Sequence, residues 1–98
     1  MRKPTNLLYF TSKTCNPCKK LLPQVEQLVA ENSLWLKLVV IDIDGHPQVS
    51  SQAGVMAVPT ILFTTTTDQG PITEETDRLL PTSASIKNIK KRLEEQDA

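Results

Sequence analysis

The segment Thr11-Ser12-Lys13-Thr14-Cys15-Asn16-Pro17-Cys18-Lys19-Lys20-Leu21-Leu22 holds a Cys-x-x-Cys at the point where one periodicity replaces another. Before it, Leu7-Leu8-Tyr9-Phe10 is a short apolar run of the kind that forms a buried strand. After it, Leu21, Leu22, Val25, Leu28 and Val29 recur at helical spacing and share one face. A strand over 5–11 and a helix from about Cys15 to Glu31 follow, with Cys15 at the helix entrance and Cys18 one turn inside. A helix entrance carries unpaired N–H groups and the positive end of the macrodipole, and both favour a thiolate over a thiol. The thiolate is the attacking species in disulfide exchange. Pro17 fits the first turn, where its missing N–H breaks no bond, and Lys13, Lys19 and Lys20 add positive charge.

Three other readings of the pair are weaker. A structural zinc site takes four ligands, whereas the chain has two cysteines and one histidine, His46, so no metal is expected. A purely structural disulfide closing so short a loop removes little entropy from the unfolded chain. Two unrelated buried thiols would not explain the helix-opening position. A redox pair accounts for both the residues and their place.

The 98 residues suit a single domain, 1–98, with an apolar share of 39% and a formal net charge of zero. That balance gives no reason to expect a nucleic acid or a membrane as partner. The apolar run near the N-terminus is too short for a secretory signal and no stretch reaches membrane-span length, so the cytoplasm is expected. A lone Cys-x-x-Cys there is more often catalytic than structural.

Further along, Pro23 should kink the first helix, and Asn32-Ser33 should end it. Leu34 to Ile43 is rich in Leu, Val and Ile, which predicts a central strand covered on both faces. Asp42 and Asp44 should close that strand near the surface. Gly45-His46-Pro47 starts a short helix over about Gln48–Gln52, closed by Ala53-Gly54, with His46 a solvated turn residue. After Val55 to Thr60, Ile61-Leu62-Phe63 and four threonines give a third strand. Asp68-Gln69-Gly70-Pro71 is a turn into a fourth, Ile72–Leu80, whose charges suit an exposed edge. The last helix should be capped by Thr82 or Ser83 and carry an apolar stripe of Ile86, Ile89 and Leu93. Its basic side of Lys87, Lys90, Lys91 and Arg92 is a solvated face interleaved with glutamates. The element order is β-α-β-α-β-β-α, beginning with a right-handed βαβ unit and ending with a hairpin-linked strand.

With Cys-Asn-Pro-Cys on a strand-to-helix turn and Val58-Pro59-Thr60 before the third strand, the chain resembles the thioredoxin family over essentially its whole length. Lys19, Pro23, the stretch Val40-Ile41-Asp42-Ile43-Asp44-Gly45-His46-Pro47 and the segment Val55 to Thr60 stand in the family's order and spacing. The resemblance implies a thioredoxin-like three-layer α/β/α sandwich on a mixed four-stranded sheet. It also implies a cis Pro59 packed beside the cysteines, exposing the Val58 backbone to an incoming chain that pairs as an added strand. The sequence departs from the family at three points. Thioredoxins generally carry a helix and a strand before the first strand found here. Thr14 stands where a Trp usually precedes the first cysteine, and Tyr9 where a buried aspartate usually helps move the second cysteine's proton.

The resemblance implies a thiol–disulfide oxidoreductase, mainly a reductant, with Cys15 attacking and Cys18 resolving. Asn16, Pro17, Lys19, Tyr9 and Pro59 would support the site, and Thr14, Val58 and Pro59 would contact substrate. Disulfide-containing proteins would be substrates of a monomer that needs no cofactor, with a thioredoxin reductase or glutathione as electron donor. Pro17 before Cys18 is similar to the reducing Cys-Gly-Pro-Cys type; the missing N-terminal elements are instead similar to glutaredoxins. A third alternative is a thioredoxin-fold binding subunit of a larger assembly in which the redox chemistry is incidental.

Overall fold

A strand with apolar side chains on both of its faces needs cover on both sides of its sheet, and the segment containing Leu7 to Phe10 has it. The computed structural model describes residues 4–66 and 73–96. The elements are β1 (Thr5–Thr11), α1 (Asn16–Glu31), β2 (Leu36–Asp42), α2 (Pro47–Gln52), β3 (Thr60–Thr66), β4 (Thr73–Leu79) and α3 (Ile86–Gln96). They form one four-stranded sheet in the order β2-β1-β3-β4. β1 runs parallel to β2, from Thr5 opposite Leu36 to Thr11 opposite Asp42. It runs antiparallel to β3, from Thr5 opposite Thr65 to Phe10 opposite Thr60.

The alternation along β1 divides the core between two faces. Leu7 and Tyr9 join Leu36, Ile61, Phe63 and Leu79 beneath Cys18, Leu21, Val25 and Leu28 of α1 and Ile89 and Leu93 of α3. Phe10 and Leu62 pack on the opposite side with Val55, flanked by Leu8, Ile41 and Ala53 where the chain leaves α2. The result is the expected helix–sheet–helix sandwich on a mixed sheet. Pro23 is exposed and does not end α1, which continues to Asn32. There the Asn32 N–H donates to the Val29 carbonyl and its Nδ2 to that of Leu28. Among the described residues no helix is long and apolar enough to cross a membrane.

β2 is not a central strand. It occupies one edge of the sheet, and Val39 and Val40 are 44% and 47% exposed. Its unbroken apolar run arises because Leu36 and Leu38 pack into the α1 side and Ile41 into the other, which imitates the pattern of an internal strand. β4 takes the other edge, as its charges indicated. A register shift at Phe63/Thr64 places Phe63 opposite Asp77 and Thr64 opposite Glu75, so Thr76 is the extra residue of a bulge. Its hydroxyl donates to the Phe63 carbonyl. The turn expected at Asp68–Pro71 lies outside the described residues.

Neither Thr82 nor Ser83 caps the last helix. The Asn88 N–H donates to Ser85 Oγ at 3.2 Å and the Ile89 N–H to the Ser85 carbonyl, so Ser85 is the cap. Two serines at neighbouring turn positions carry the same capping chemistry, and only the docking of Ile89 and Leu93 selects between them. Arg92 also leaves the basic face of α3, because its Nη1 lies 2.7 and 2.6 Å from the two carboxylate oxygens of Asp77 on β4. Lys87, Lys90 and Lys91 remain exposed.

Two substitutions test this packing by urea denaturation. Ile89→Ala, at a fully buried position, should cost about 2–4 kcal/mol through lost transfer energy and an unfilled cavity. Thr64→Val should instead stabilise by about 1 kcal/mol, because the buried Thr64 hydroxyl has no partner among the described residues.

Candidate active site

Cys15 is the N-cap of α1, with an extended backbone at φ −88° and ψ 101°. The turn before it closes through the Cys15 N–H to the Ser12 carbonyl, 3.1 Å. Asn16 is the first helical residue, exposed, and Pro17 follows it in the first turn. The two cysteines form a disulfide, with the sulfurs 2.08 Å apart and the Cα atoms 5.3 Å apart. Cys15 is half-buried and Cys18 fully buried, so a reagent arriving from solvent meets Cys15 first. The Cys18 N–H donates to Cys15 Sγ at 3.2 Å, which makes the sulfur itself the acceptor of the cap. Once the disulfide is reduced, the same N–H is available to a Cys15 thiolate.

The charges of α1 run against the usual preference of a helix. No acidic residue lies in its first turn and no basic residue in its last. Lys19 and Lys20 stand exposed near the start, whereas Glu31 ends it. This distribution gives up favourable interaction with the macrodipole and raises the positive potential where Cys15 stands.

Tyr9 lies directly behind the pair. It is fully buried, and its hydroxyl donates to the Cys18 carbonyl oxygen at 2.7 Å. Burial pushes the phenol up to about 12, so it stays a neutral donor across the physiological range. No carboxylate takes its place in this contact. Tyr9 therefore ties the first turn of α1 to the central strand.

The Val58–Pro59 peptide bond is cis. Pro59 is buried, Val58 is half-buried, and Val58 packs against the same core cluster as Cys15. The following Thr60 turns its hydroxyl back onto the Ala57 carbonyl, 2.7 Å. At the other end of the segment, Gly54 turns the chain at φ +71°, a value that favours glycine. Arg78 of β4 holds that turn through its Nη2 on the Ala53 carbonyl, 2.7 Å, and its Nη1 on that of Gly54, 3.4 Å.

Ser12 and Arg78 of this region gave no functional signal in the sequence, and Asp44 entered only within the family's stretch and as a strand end. Asp44 does not simply end a strand at the surface, because its Oδ2 accepts a hydrogen bond from Ser12 Oγ at 2.9 Å across 32 positions of sequence. His46 is exposed in its turn, as expected. Among the described residues no group of three or more His, Cys, Asp or Glu could hold a metal ion.

The family model described as Thioredoxin matches residues 1–91. The chain belongs to the thioredoxin family. It is 40% identical over 53 residues to the thioredoxin of Bacillus subtilis, covering 54% of this chain and 51% of that one. It is also 35% identical over 57 residues to NADPH-dependent thioredoxin reductase 3 of Arabidopsis thaliana, 58% of this chain but 11% of that protein. Thioredoxin family members of known structure share the fold: that of Fasciola hepatica superposes with a TM-score of 0.79 at 22% identity, over 97% of this chain and 83% of its own. The chain spans about half the length of the curated thioredoxins it matches.

Tyr9 is the chain's single tyrosine, so its ionisation can be followed by absorbance without interference from another phenol. The native midpoint should lie near 12, against about 10 in denaturant. Because the folded phenol holds its proton more tightly than the unfolded one, the stability it contributes is complete below about pH 10 and is lost as pH rises towards 12. Tyr9→Phe should remove that alkaline component of the stability–pH curve. A native midpoint near 10 would mean that the phenol is not buried behind the cysteines.

Proposed function

We propose that the protein is a thiol–disulfide oxidoreductase that works mainly as a reductant of protein disulfides. The observation that carries this function is the asymmetry of the pair: Cys15 half-buried at the helix entrance, with the Cys18 N–H on its sulfur, and Cys18 fully buried behind it. In the reduced protein, the Cys15 thiolate attacks one sulfur of a substrate disulfide. A mixed disulfide forms and the other substrate sulfur leaves as a thiolate, which takes up a proton. Cys18, as thiolate, then attacks Cys15 Sγ and releases the second substrate sulfur. Two electrons have passed to the substrate, and Cys15–Cys18 is a disulfide again. A thioredoxin reductase or glutathione would return those electrons; the similarity to a segment of a thioredoxin reductase supports the former.

The elements around the pair fit these steps. The helix entrance and the lysines beside it stabilise the Cys15 thiolate. Thr14 is exposed next to Cys15, and Val58 and Pro59 belong to the segment that Arg78 and Thr60 hold in place. Those three residues are our candidates for contact with the substrate chain. Tyr9 offers Cys18 no carboxylate, so the proton of the resolving thiol leaves without a buried acid of that kind. The working compartment we infer is the cytoplasm, where the donor pool keeps such pairs reduced.

With the protein reduced, a limiting amount of iodoacetamide should label Cys15 before Cys18 in peptide maps. Cys18→Ser should accumulate mixed disulfides that dithiothreitol dissolves, because the attacking thiol remains and the resolving one is gone. Cys15→Ser should reduce no substrate and trap none. Trapping by Cys15→Ser alone would reverse the two roles.

A further inference from the structure

Ser12 follows β1 with only 9% of its surface exposed, and its Oγ is a junction. It lies 2.9 Å from Asp44 Oδ2, 3.2 Å from Thr14 Oγ1 and 3.4 Å from the Thr14 amide nitrogen. The direction of these bonds follows from the donor inventory. A serine hydroxyl has one proton and two lone pairs, and a carboxylate has lone pairs only. The Ser12 proton therefore goes to Asp44, as a charge-assisted bond. Ser12 Oγ is left as an acceptor, so the Thr14 hydroxyl has to donate to it. The Thr14 proton is thus turned inward, and the lone pairs of this exposed residue's hydroxyl remain for whatever docks beside Cys15.

Asp44 is itself held. Its N–H donates to Asp42 Oδ1 at 2.9 Å, the His46 N–H donates to the Asp42 carbonyl, and the Ile43 N–H donates to the Thr11 carbonyl. The turn that carries Cys15 is already closed by the main-chain bond from the Cys15 N–H to the Ser12 carbonyl. The Asp44–Ser12–Thr14 chain is therefore not needed to form the turn. What it adds is the orientation of one hydroxyl on the residue immediately before Cys15.

We propose that Asp44 and Ser12 are positioning residues that fix the Thr14 hydroxyl as a hydrogen-bond acceptor beside Cys15, so that the site favours disulfides flanked by N–H donors, as in polypeptides, over disulfides that have none. This rests on Cys15 being the attacking thiol. A free Thr14 hydroxyl can turn its proton outward and meet a substrate amide with the wrong polarity. One that is held pays less orientational entropy on docking.

The test compares the reduced protein's rate on insulin, whose disulfides are flanked by peptide N–H groups, with its rate on dithiodipyridine, a neutral disulfide without N–H donors. Ser12→Ala, Asp44→Ala and Thr14→Val should each lower the insulin-to-dithiodipyridine rate ratio by roughly 5-fold, the scale of one hydrogen bond. In a Thr14→Val background, adding Ser12→Ala or Asp44→Ala should lower it no further, because the link acts through Thr14 alone. Asp44 is exposed, so Asp44→Ala reads the link without disturbing a buried position, and urea midpoints verify that each variant is folded. An unchanged ratio in Asp44→Ala, or full additivity with Thr14→Val, would overturn the proposal while leaving the oxidoreductase function intact. Native protein that reduces neither compound would overturn that function, and the positioning role with it.

Discussion

Cys15 has to stand just outside the first turn of a helix while Cys18 stands just inside it, and most of the structure follows from that constraint. A helix entrance can be fixed only by anchoring the chain before it and the face after it. β1 is the anchor before it, paired on both sides and buried on both faces. Leu21, Val25 and Leu28 are the anchor after it, packed on that same strand's Leu7 and Tyr9 through the common core. The Tyr9–Cys18 hydrogen bond closes the remaining gap by tying the strand directly to the helix's first turn. A shift of α1 along the sheet would break that bond and the packing together.

A phenol rather than an acid stands behind the cysteines, and that sets the character of the site. A buried carboxylate resists ionisation and draws protons or cations towards itself. A phenol held well above the physiological range does neither, and it fills the space with ring. The polar links near the site lie on the other side of the turn, where Ser12, Thr14 and Asp44 are joined. Thr14 and Ser12 are small, so the rim of the site is hydrogen-bonding rather than apolar. Met56, 96% exposed two residues before Val58, is the large apolar side chain of the segment that leads into Pro59.

Elements governed by local periodicity were legible in the sequence, and those governed by contacts between distant segments were not. β1 and α1 could be read to within a residue, because the run at Leu7–Phe10 and the stripe from Leu21 to Val29 each report their own surroundings. Cys15 and Cys18 were legible because their chemistry depends on a helix end that the same stripe locates. Pro59 needed the family pattern, since a proline opening a strand looks alike in either isomer. The edge position of β2 was hidden, because an apolar run records that faces are covered and not whether both backbone edges are paired. Ser85 is not distinguished from Thr82 and Ser83 by sequence, because all three offer equivalent hydroxyls within one turn. The Ser12–Asp44 bond spans 32 positions and carries no local periodicity at all.

The unpaired side of β2 has a consequence for how the protein behaves in bulk. Among the described residues no strand lies against it, and its middle, Leu38 to Ile41, is wholly apolar and β-branched or leucine. Charge appears only towards its ends, at Lys37 and Asp42. Such a segment has the composition of a cross-β template, with Lys37 and Asp42 as its gatekeepers. Among the described residues it is these two charges, on the side of the sheet away from β4, that oppose pairing of β2 with a second copy of itself.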